Sequence, residues 1–380
     1  MKGNKENAQK VMLSHSKAKV DYYSKYLDIY VKILSNSKFI SKINIYDAYC
    51  GKGIYEDGSE GSPIQAFRIL SSLNIYDKII RLVLNDGNVE CIENVRREIN
   101  KIAVAESAFN VEYYNLDAID FIKKILVELN QQCSNTRNLI FIDPYGYSND
   151  YKMQLESLME KHKTEIFLFV PIDFIYRFMN IENAGCPAAK PIKSFLESFF
   201  PDTNHPVRKG DVQNVDDLIA YLNEALSMNK YYTTFYKIER KIGHFFAVFF
   251  ITSHIYGLEK NLEAKWRLDE NNGVEFKQPK APTLFDSANK EEIKNNNFNR
   301  LKDSILSFLN DGKRTNKDLY EFTLRQGFLP KHTNEVLRYF QNQKKISVKD
   351  DKGEEIKQGT FYISYKPYKK EDKKIIFELI

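Results

Sequence analysis

No apolar run in this 380-residue chain is longer than about Phe245–Ile251. That falls well short of the roughly 18 residues a membrane-crossing helix requires, so no membrane partner is expected. Met1–Lys10 is polar with no apolar core behind it, which argues against a secretory leader and for a cytoplasmic protein. Cysteine is sparse: Cys50, Cys91, Cys133 and Cys186 stand singly, with no Cys-x-x-Cys pair. A disulfide framework or a cysteine zinc site is therefore not expected, in keeping with a reducing compartment. The histidines offer no His-x-x-x-His spacing, so no metal is assigned. Internal repeats and long low-complexity segments are also missing. Charge of one sign hardly dominates, since 56 Lys and Arg against 51 Asp and Glu leave +5.

What is present reads as a multidomain globular protein. Hydrophobic residues make up 43% and charged residues 28%, which excludes collagen-like, coiled-coil and wholly disordered classes. The length predicts two or three domains. Residues 1–38 hold eight lysines and three acids, an excess equal to that of the whole chain. Such a segment can neutralise phosphates, and it equally serves as a solvated helix face. We read residues 1–40 as a basic helical arm, with Tyr23, Tyr26, Leu27, Tyr30, Val31 and Leu34 at helical spacing.

Strand and helix patterns then alternate. Strands are predicted at Ile43–Tyr49, Ile79–Leu84, Asn110–Tyr114, Asn138–Ile142 and Glu165–Val170. Helices are predicted between them at Ser62–Leu73, Asn88–Lys101, Ala118–Leu129 and Tyr151–Lys161. Alternation of this kind predicts an α/β fold with a parallel sheet. Tyr231–Arg240 and His244–Ser253 predict an antiparallel hairpin closing that sheet, the topology of a Rossmann-like class I methyltransferase. The expected division is a domain over 41–270 with an insertion near 181–212, a linker over 271–297, and a final domain over 298–380. In the last, helices at Phe298–Leu309, Lys317–Arg325 and His332–Gln341 precede strands at Ile346–Lys349 and Thr360–Tyr365, the pattern of a winged helix.

Four acidic positions stand at predicted strand exits. Asp47-Ala48-Tyr49-Cys50-Gly51-Lys52-Gly53 is a glycine loop in which a carboxylate suits a cationic ligand better than a pyrophosphate. Asp86, in Asn85-Asp86-Gly87, can accept from a ribose diol or simply belong to a turn. Asp117 can accept from an adenine amine, cap the helix starting at Ala118, or do both. Asp143-Pro144-Tyr145-Gly146 ends a buried strand with an acid, a proline and an aromatic ring. That set can hold an exocyclic amine while the ring stacks on a base. An Asp-Pro turn that merely ends the strand is the bland alternative.

These residues carry a resemblance. The ordered elements around Asp47, Gly51, Gly53, Asp86, Asp117 and Asp143 resemble those of S-adenosylmethionine-dependent methyltransferases. More closely, four elements resemble the bacterial three-Cys-motif partner (TcmP) family: His15-Ser-Lys-Ala-Lys19 with Tyr26-Leu27, the glycine loop, Gly61-Ser62-Pro63, and Phe141–Gly146. The resemblance covers about residues 10–270, with a winged-helix tail also typical. It implies a methyltransferase-like fold, S-adenosylmethionine held by Asp47, Tyr49, Gly51, Gly53, Asp86 and Asp117, and catalysis by Asp143, Pro144 and Tyr145. It also implies a three-Cys-motif, radical-type protein as a partner. Lys52 departs from the proline usual in that loop. Asp-Pro-Tyr-Gly lacks the second proline of amino-methyltransferases, but is similar to the turn of tRNA guanine-N2 dimethyltransferases.

The expected function is thus methyl transfer to an exocyclic amine of a nucleic acid. The alternative is a catalytically inactive methyltransferase-like adaptor, in a defence or repair operon, that binds protein or nucleic acid. Lys331, His332, Asn334 and Arg338, on the presumed reading helix, are the expected nucleic-acid contacts. Ser62-Pro63-Ile-Gln65 fits a capping box with proline at the first helical position, and Gly61–Ser62 alternatively covers the methionyl end of the cofactor. Arg177 is expected in a surface ion pair. His244 and His254 are expected to be satisfied structural histidines.

Overall fold

Apolar strands alternating with amphipathic helices can bury both kinds of face only by layering, with helices on either side of one sheet. In the computed structural model the described residues are 11–73, 77–102, 109–144, 151–179, 189–241, 243–270, 273–277, 286–370 and 373–380. They form two compact units, Met1–Gly257 with Glu275–Gln278, and Leu258–Val274 with Pro279–Ile380.

The first unit runs α1 (Ser14–Ser35), β1 (Lys42–Asp47), α2 (Ser62–Ser71), β2 (Ile79–Asn85), α3 (Val89–Lys101), β3 (Phe109–Tyr114), α4 (Ala118–Gln131), β4 (Thr136–Ile142), α5 (Tyr151–Met159) and β5 (Thr164–Val170). Next come α6 (Ile172–Phe178), α7 (Ala189–Phe199), α8 (Pro206–Lys209) and α9 (Val215–Ser227). The hairpin β6 (Tyr232–Lys241) and β7 (His244–Thr252) follows, and β8 (Glu275–Phe276) adds a short edge. The strand order is β3-β2-β1-β4-β5-β7-β6-β8. β1 to β5 are mutually parallel, and β7 lies antiparallel between β5 and β6. This is the Rossmann-like methyltransferase sheet, with the hairpin tucked in so that its second strand pairs first. Strand order reverses between β1 and β4, and the crevice beyond their carboxyl ends is where open α/β sheets take ligands.

α1 contributes to the core rather than standing off as an arm. Tyr22, Tyr23, Tyr26 and Leu27 are each at most 1% exposed. Tyr23 stacks on Phe141 of β4 at 4.6 Å, and Tyr26 meets Phe250 of β7 edge-on at 4.8 Å. Burying such rings stabilises the unit by roughly 1.5–3 kcal/mol each. Lys17, Lys25 and Lys32 ride on the remaining face, Lys32 in an exposed pairing with Asp28. On the opposite face of the sheet, α4, α5, α6, α7 and α9 pack a continuous apolar cluster that includes Phe121, Leu155, Ile175, Phe195 and Leu222.

The second unit holds α10 (Ile255–Leu268) from Leu258 onward, α11 (Asp286–Asn310), β9 (Arg314–Thr315), α12 (Asn316–Arg325), α13 (Pro330–Asn342), β10 (Ile346–Asp350), α14 (Tyr365–Lys370) and β11 (Ile375–Leu379). Three helices and a sheet ordered β10-β11-β9 make a winged helix. Two expectations differ from what forms. Residues 286–297, read as linker, are the first turns of α11. Their asparagines are weak helix formers, but the helix is anchored by buried Leu301, Ile305 and Leu309. Thr360–Tyr365 is not a strand, and β10 pairs instead with β11. Phe361 and Ile363 alternate because both are buried, at 2% and 3% exposure. Phe361 packs near Phe377 of β11 without joining the ladder.

Candidate cofactor and acceptor site

β1 delivers Asp47 to the crevice, and the chain then turns through two glycines in the left-handed region, Gly51 at φ +62° and Gly53 at φ +79°. A side chain at Gly53 would place its Cβ 2.9 Å from Val95, whereas at Gly51 it would meet open space. The loop is therefore packed tight on one side and open on the other. Asp47 is 1% exposed and accepts from Ser62 Oγ at 2.6 Å and from the Tyr49 amide at 3.3 Å. Burial pushes its carboxyl up to about 7. The charges of Asp143 and Asp86 add to the rise, and the two hydrogen bonds offset part of it. Ser62 thus serves Asp47 and caps nothing, while Gly61 holds the N-cap position of α2. A buried carboxyl without donors costs more than an uncapped helix end, so the capping-box expectation gives way.

Asp86 follows β2 and accepts from the Gly51 amide at 3.0 Å and the Asn88 amide at 2.8 Å. Its neighbour Asn85 ties three strand exits together. It donates to the Ala48 and Leu116 carbonyls at 3.1 and 3.2 Å and accepts from the Leu116 amide at 3.0 Å. Asp117 caps α4 through the Ile119 amide at 2.9 Å and remains exposed. Asp143 and Pro144 are half-buried at the exit of β4, across the strand reversal from Asp47. Tyr145 and Gly146 lie outside the described residues.

Sequence reasoning did not assign three further residues to this crevice. Lys19 of α1 forms an ion pair with Asp143, and its ammonium also lies 4.5 Å from the centre of the Phe169 ring. Tyr55, on the hairpin turn after the glycine loop, is close enough for Asp143 to push its phenol up, after burial itself. The Tyr23 hydroxyl is buried with no hydrogen-bond partner among the described residues, and the charge of Asp47 adds to the burial that holds its phenol proton on. The only sequence signal for Lys19 was its place in the His15–Lys19 element.

These groups fit S-adenosylmethionine. An unpartnered buried hydroxyl, a glycine loop open on one side, and carboxylates at three successive strand exits suit a ligand with a cationic end, a diol and an exocyclic amine. Among the described residues no cluster of His, Cys, Asp and Glu is arranged to hold a metal ion.

Residues 272–353 match the family model of the GMT-like wHTH domain, a winged helix-turn-helix. No curated protein matches the chain. Among solved structures, Trm1 from Pyrococcus horikoshii with S-adenosyl-L-methionine is similar at 13% identity and TM-score 0.34, covering 63% of this chain and 58% of that one. The O-methyltransferase TomG from Streptomyces achromogenes, in complex with SAM, is similar at 10% identity and TM-score 0.35, over 61% of this chain and 80% of that one. An O-methyltransferase from Bacillus cereus in complex with SAH stands at 14% identity and TM-score 0.32, over 60% and 80%. The chain therefore spans less than two thirds of the length of Trm1. Likeness of this degree leaves function to be judged from the chain's own residues.

The expected nucleic-acid contacts on α13 separate into two kinds. Lys331 and Arg338 are exposed, and Asn334 is half-buried. His332 is committed to packing. Its ring lies 4.3 Å from that of Trp266, and its Nδ1 accepts from the Leu329 amide at 3.1 Å. Burial and the charge of Lys331 hold it down to about 4, so it is neutral at physiological pH. Elsewhere, Arg177 and His244 both engage Asp173 at 2.7 Å, and His254 Nδ1 accepts from the Tyr256 amide at 3.1 Å.

Proposed function

We propose that the chain is an S-adenosylmethionine-dependent methyltransferase acting on an exocyclic amine of a nucleic acid, with the winged helix engaging the acceptor. The supporting observation is that Asp47 and Asp143 stand at the exits of β1 and β4 on either side of the strand reversal, Asp143 two residues beyond Phe141, the register partner of Asp47. When bound, the cofactor supplies an electrophilic methyl on a sulfonium. Asp47 and Asp86 would hold its cationic end and diol, with Asp117 at the base and the Gly51–Gly53 backbone beneath. Asp143 would accept from the acceptor amine, fix its lone pair toward the methyl, and take up the proton the nitrogen sheds. Pro144 removes a competing donor beside that carboxylate. Tyr145 would stack on the base. A three-Cys-motif, radical-type protein remains the proposed partner, in a cytoplasmic setting.

Calorimetry with S-adenosylmethionine, followed by labelled-methyl transfer to mixed DNA and RNA, tests this. Asp143→Ala should lower transfer by at least about 100-fold while cofactor affinity stays within roughly threefold. Unchanged transfer removes Asp143 from catalysis, and no binding heat at about 1 mM cofactor removes the enzyme altogether. One observation favours the adaptor alternative: Lys19 already occupies Asp143.

A further inference from the structure

Lys19 belongs to a larger group on the α1 face of the sheet. His15, one helical turn before it, lies 5.4 Å from the Phe246 ring of β7. Phe246 in turn packs at 5.0 Å against Phe169 of β5, the ring beneath Lys19. The Arg240 guanidinium of β6 sits 5.7 Å from the Phe246 ring centre. Burial, then the charges of Arg240 and Lys19, hold the His15 imidazole down to about 4. Two cations and a neutral imidazole, drawn from α1 and β6, are thus gathered over two aromatic rings. The carboxylate paired with Lys19 is Asp143. α1 also starts with no acidic residue in its first turn and no side-chain cap, so its positive end adds to the field.

We infer that His15, Lys19 and Arg240, set around Phe169 and Phe246, form a subsite for the phosphate of a nucleotide-type acceptor, and that filling it draws Lys19 off Asp143. The second half rests on the methyltransferase reading; the first does not. A terminal phosphate offers Lys19 a more highly charged partner than a single carboxylate, a phosphodiester an equally charged one, and either adds Arg240 and an imidazole donor. The half-buried Phe169 and Phe246 rings give the sugar an apolar surface beside the cations. The released Asp143 then becomes free to accept from the amine. The ion pair that argued for an inactive site becomes a latch opened by the acceptor itself, and Lys19 becomes a positioning residue.

The test uses the full chain and calorimetry with three probes: adenosine, adenosine 5′-monophosphate, and a single-stranded hexanucleotide without a terminal phosphate. The mononucleotide should bind roughly tenfold tighter than the nucleoside. Lys19→Met and Arg240→Met should each lose most of that advantage, while circular dichroism and the unfolding midpoint show both variants folded. Tight hexanucleotide binding with the same sensitivity assigns the subsite to a backbone phosphodiester; preference for the mononucleotide assigns it to a terminal phosphate. Equal affinity for nucleoside and nucleotide, or a preference untouched in both folded variants, overturns the subsite. In turnover, Lys19→Met should raise kcat/KM for the unphosphorylated nucleoside, which has no phosphate to draw Lys19 off Asp143, and a kcat/KM for the nucleoside that is unchanged or lower would overturn the latch. If the parent chain transfers no methyl to any acceptor, the methyltransferase reading and the latch fall, while the phosphate preference is decided by binding alone.

Discussion

In the first unit the deeply buried ionisable side chain at the sheet's carboxyl edge is an acid, Asp47, at 1% exposure and pushed up to about 7. In the second it is a base, Lys265 of α10, at 3% exposure and pushed down to about 7 by burial and then by the charge of Arg300. Both groups meet the same dielectric penalty, yet the settings differ. Asp47 has two donors and lies in a crevice with other carboxylates. Lys265 lies under the winged helix beside a second cation, Arg300, itself lowered by burial and set 4.8 Å from the Phe328 ring. An acid poised near neutrality at a crevice is what a cationic ligand would ionise. A base held near neutrality inside a helical unit burdens stability instead.

The sharpest way to break this comparison is Lys265→Met. Lys265 binds its proton less tightly folded than unfolded, so its burden grows as pH falls from its ordinary 10.5 through about 7 and is complete below that. Methionine keeps the apolar stem but also gives up the contacts the ammonium makes, so the expected effect is one of pH dependence: the stability of the variant relative to the parent should rise by several kcal/mol, roughly, between pH 10 and pH 6. Urea unfolding of parent and variant at the two pH values measures it. A difference between variant and parent that stays constant from pH 10 to pH 6 would mean that burial does not lower Lys265.

Asp47→Asn comes next and has the opposite sign. The Asp47 carboxyl holds its proton more tightly folded than unfolded, so its favourable term is fully present below its ordinary 3.8 and is lost as pH rises through about 7. Asparagine cannot ionise, but it leaves one of the two donors from Ser62 and Tyr49 without an acceptor, which costs about 1 kcal/mol. The net gain at pH 8 should be on the order of 3 kcal/mol, fading to a loss near pH 4. S-adenosylmethionine affinity should fall in the same variant, because the cationic end loses its counter-charge. Stability that changes in parallel at both pH values would remove Asp47 as the source.

The strands of this fold were legible because buried parallel strands are nearly continuous apolar runs, as at Ile43–Tyr49 and Asn138–Ile142. The hairpin was legible from its turn. Asp47 and Asp143 stood out because each is an acid at the end of such a run. What joins them was not legible. Lys19 and Asp143 are 124 residues apart, and Ser62 reads locally as a helix start while its hydroxyl serves Asp47. Local periodicity carries no information on which side chain meets which across a sheet. It also mistook Phe361 and Ile363 for a strand, because alternation reports burial and not ladder pairing.

The smallest effects are expected from the second unit's exposed cations, and they sharpen its contrast with Lys265. Lys331 and Arg338 lie on the outer side of α13, so replacing either with alanine should change stability by less than about 0.5 kcal/mol. If α13 meets a nucleic-acid backbone, each loss should weaken binding of the full chain nearly uniformly across sequences and lower the slope of log affinity against log salt by about 1. His332→Ala should do the reverse, costing stability through its Trp266 contact and the Leu329 amide it accepts from, with the salt slope unchanged. Titrations of the three variants between about 50 and 200 mM salt separate the two roles. An unchanged slope for both Lys331→Ala and Arg338→Ala would place the nucleic-acid contact away from α13. The winged helix would then be a docking module, with its buried base and not its exposed cations as its distinguishing charge.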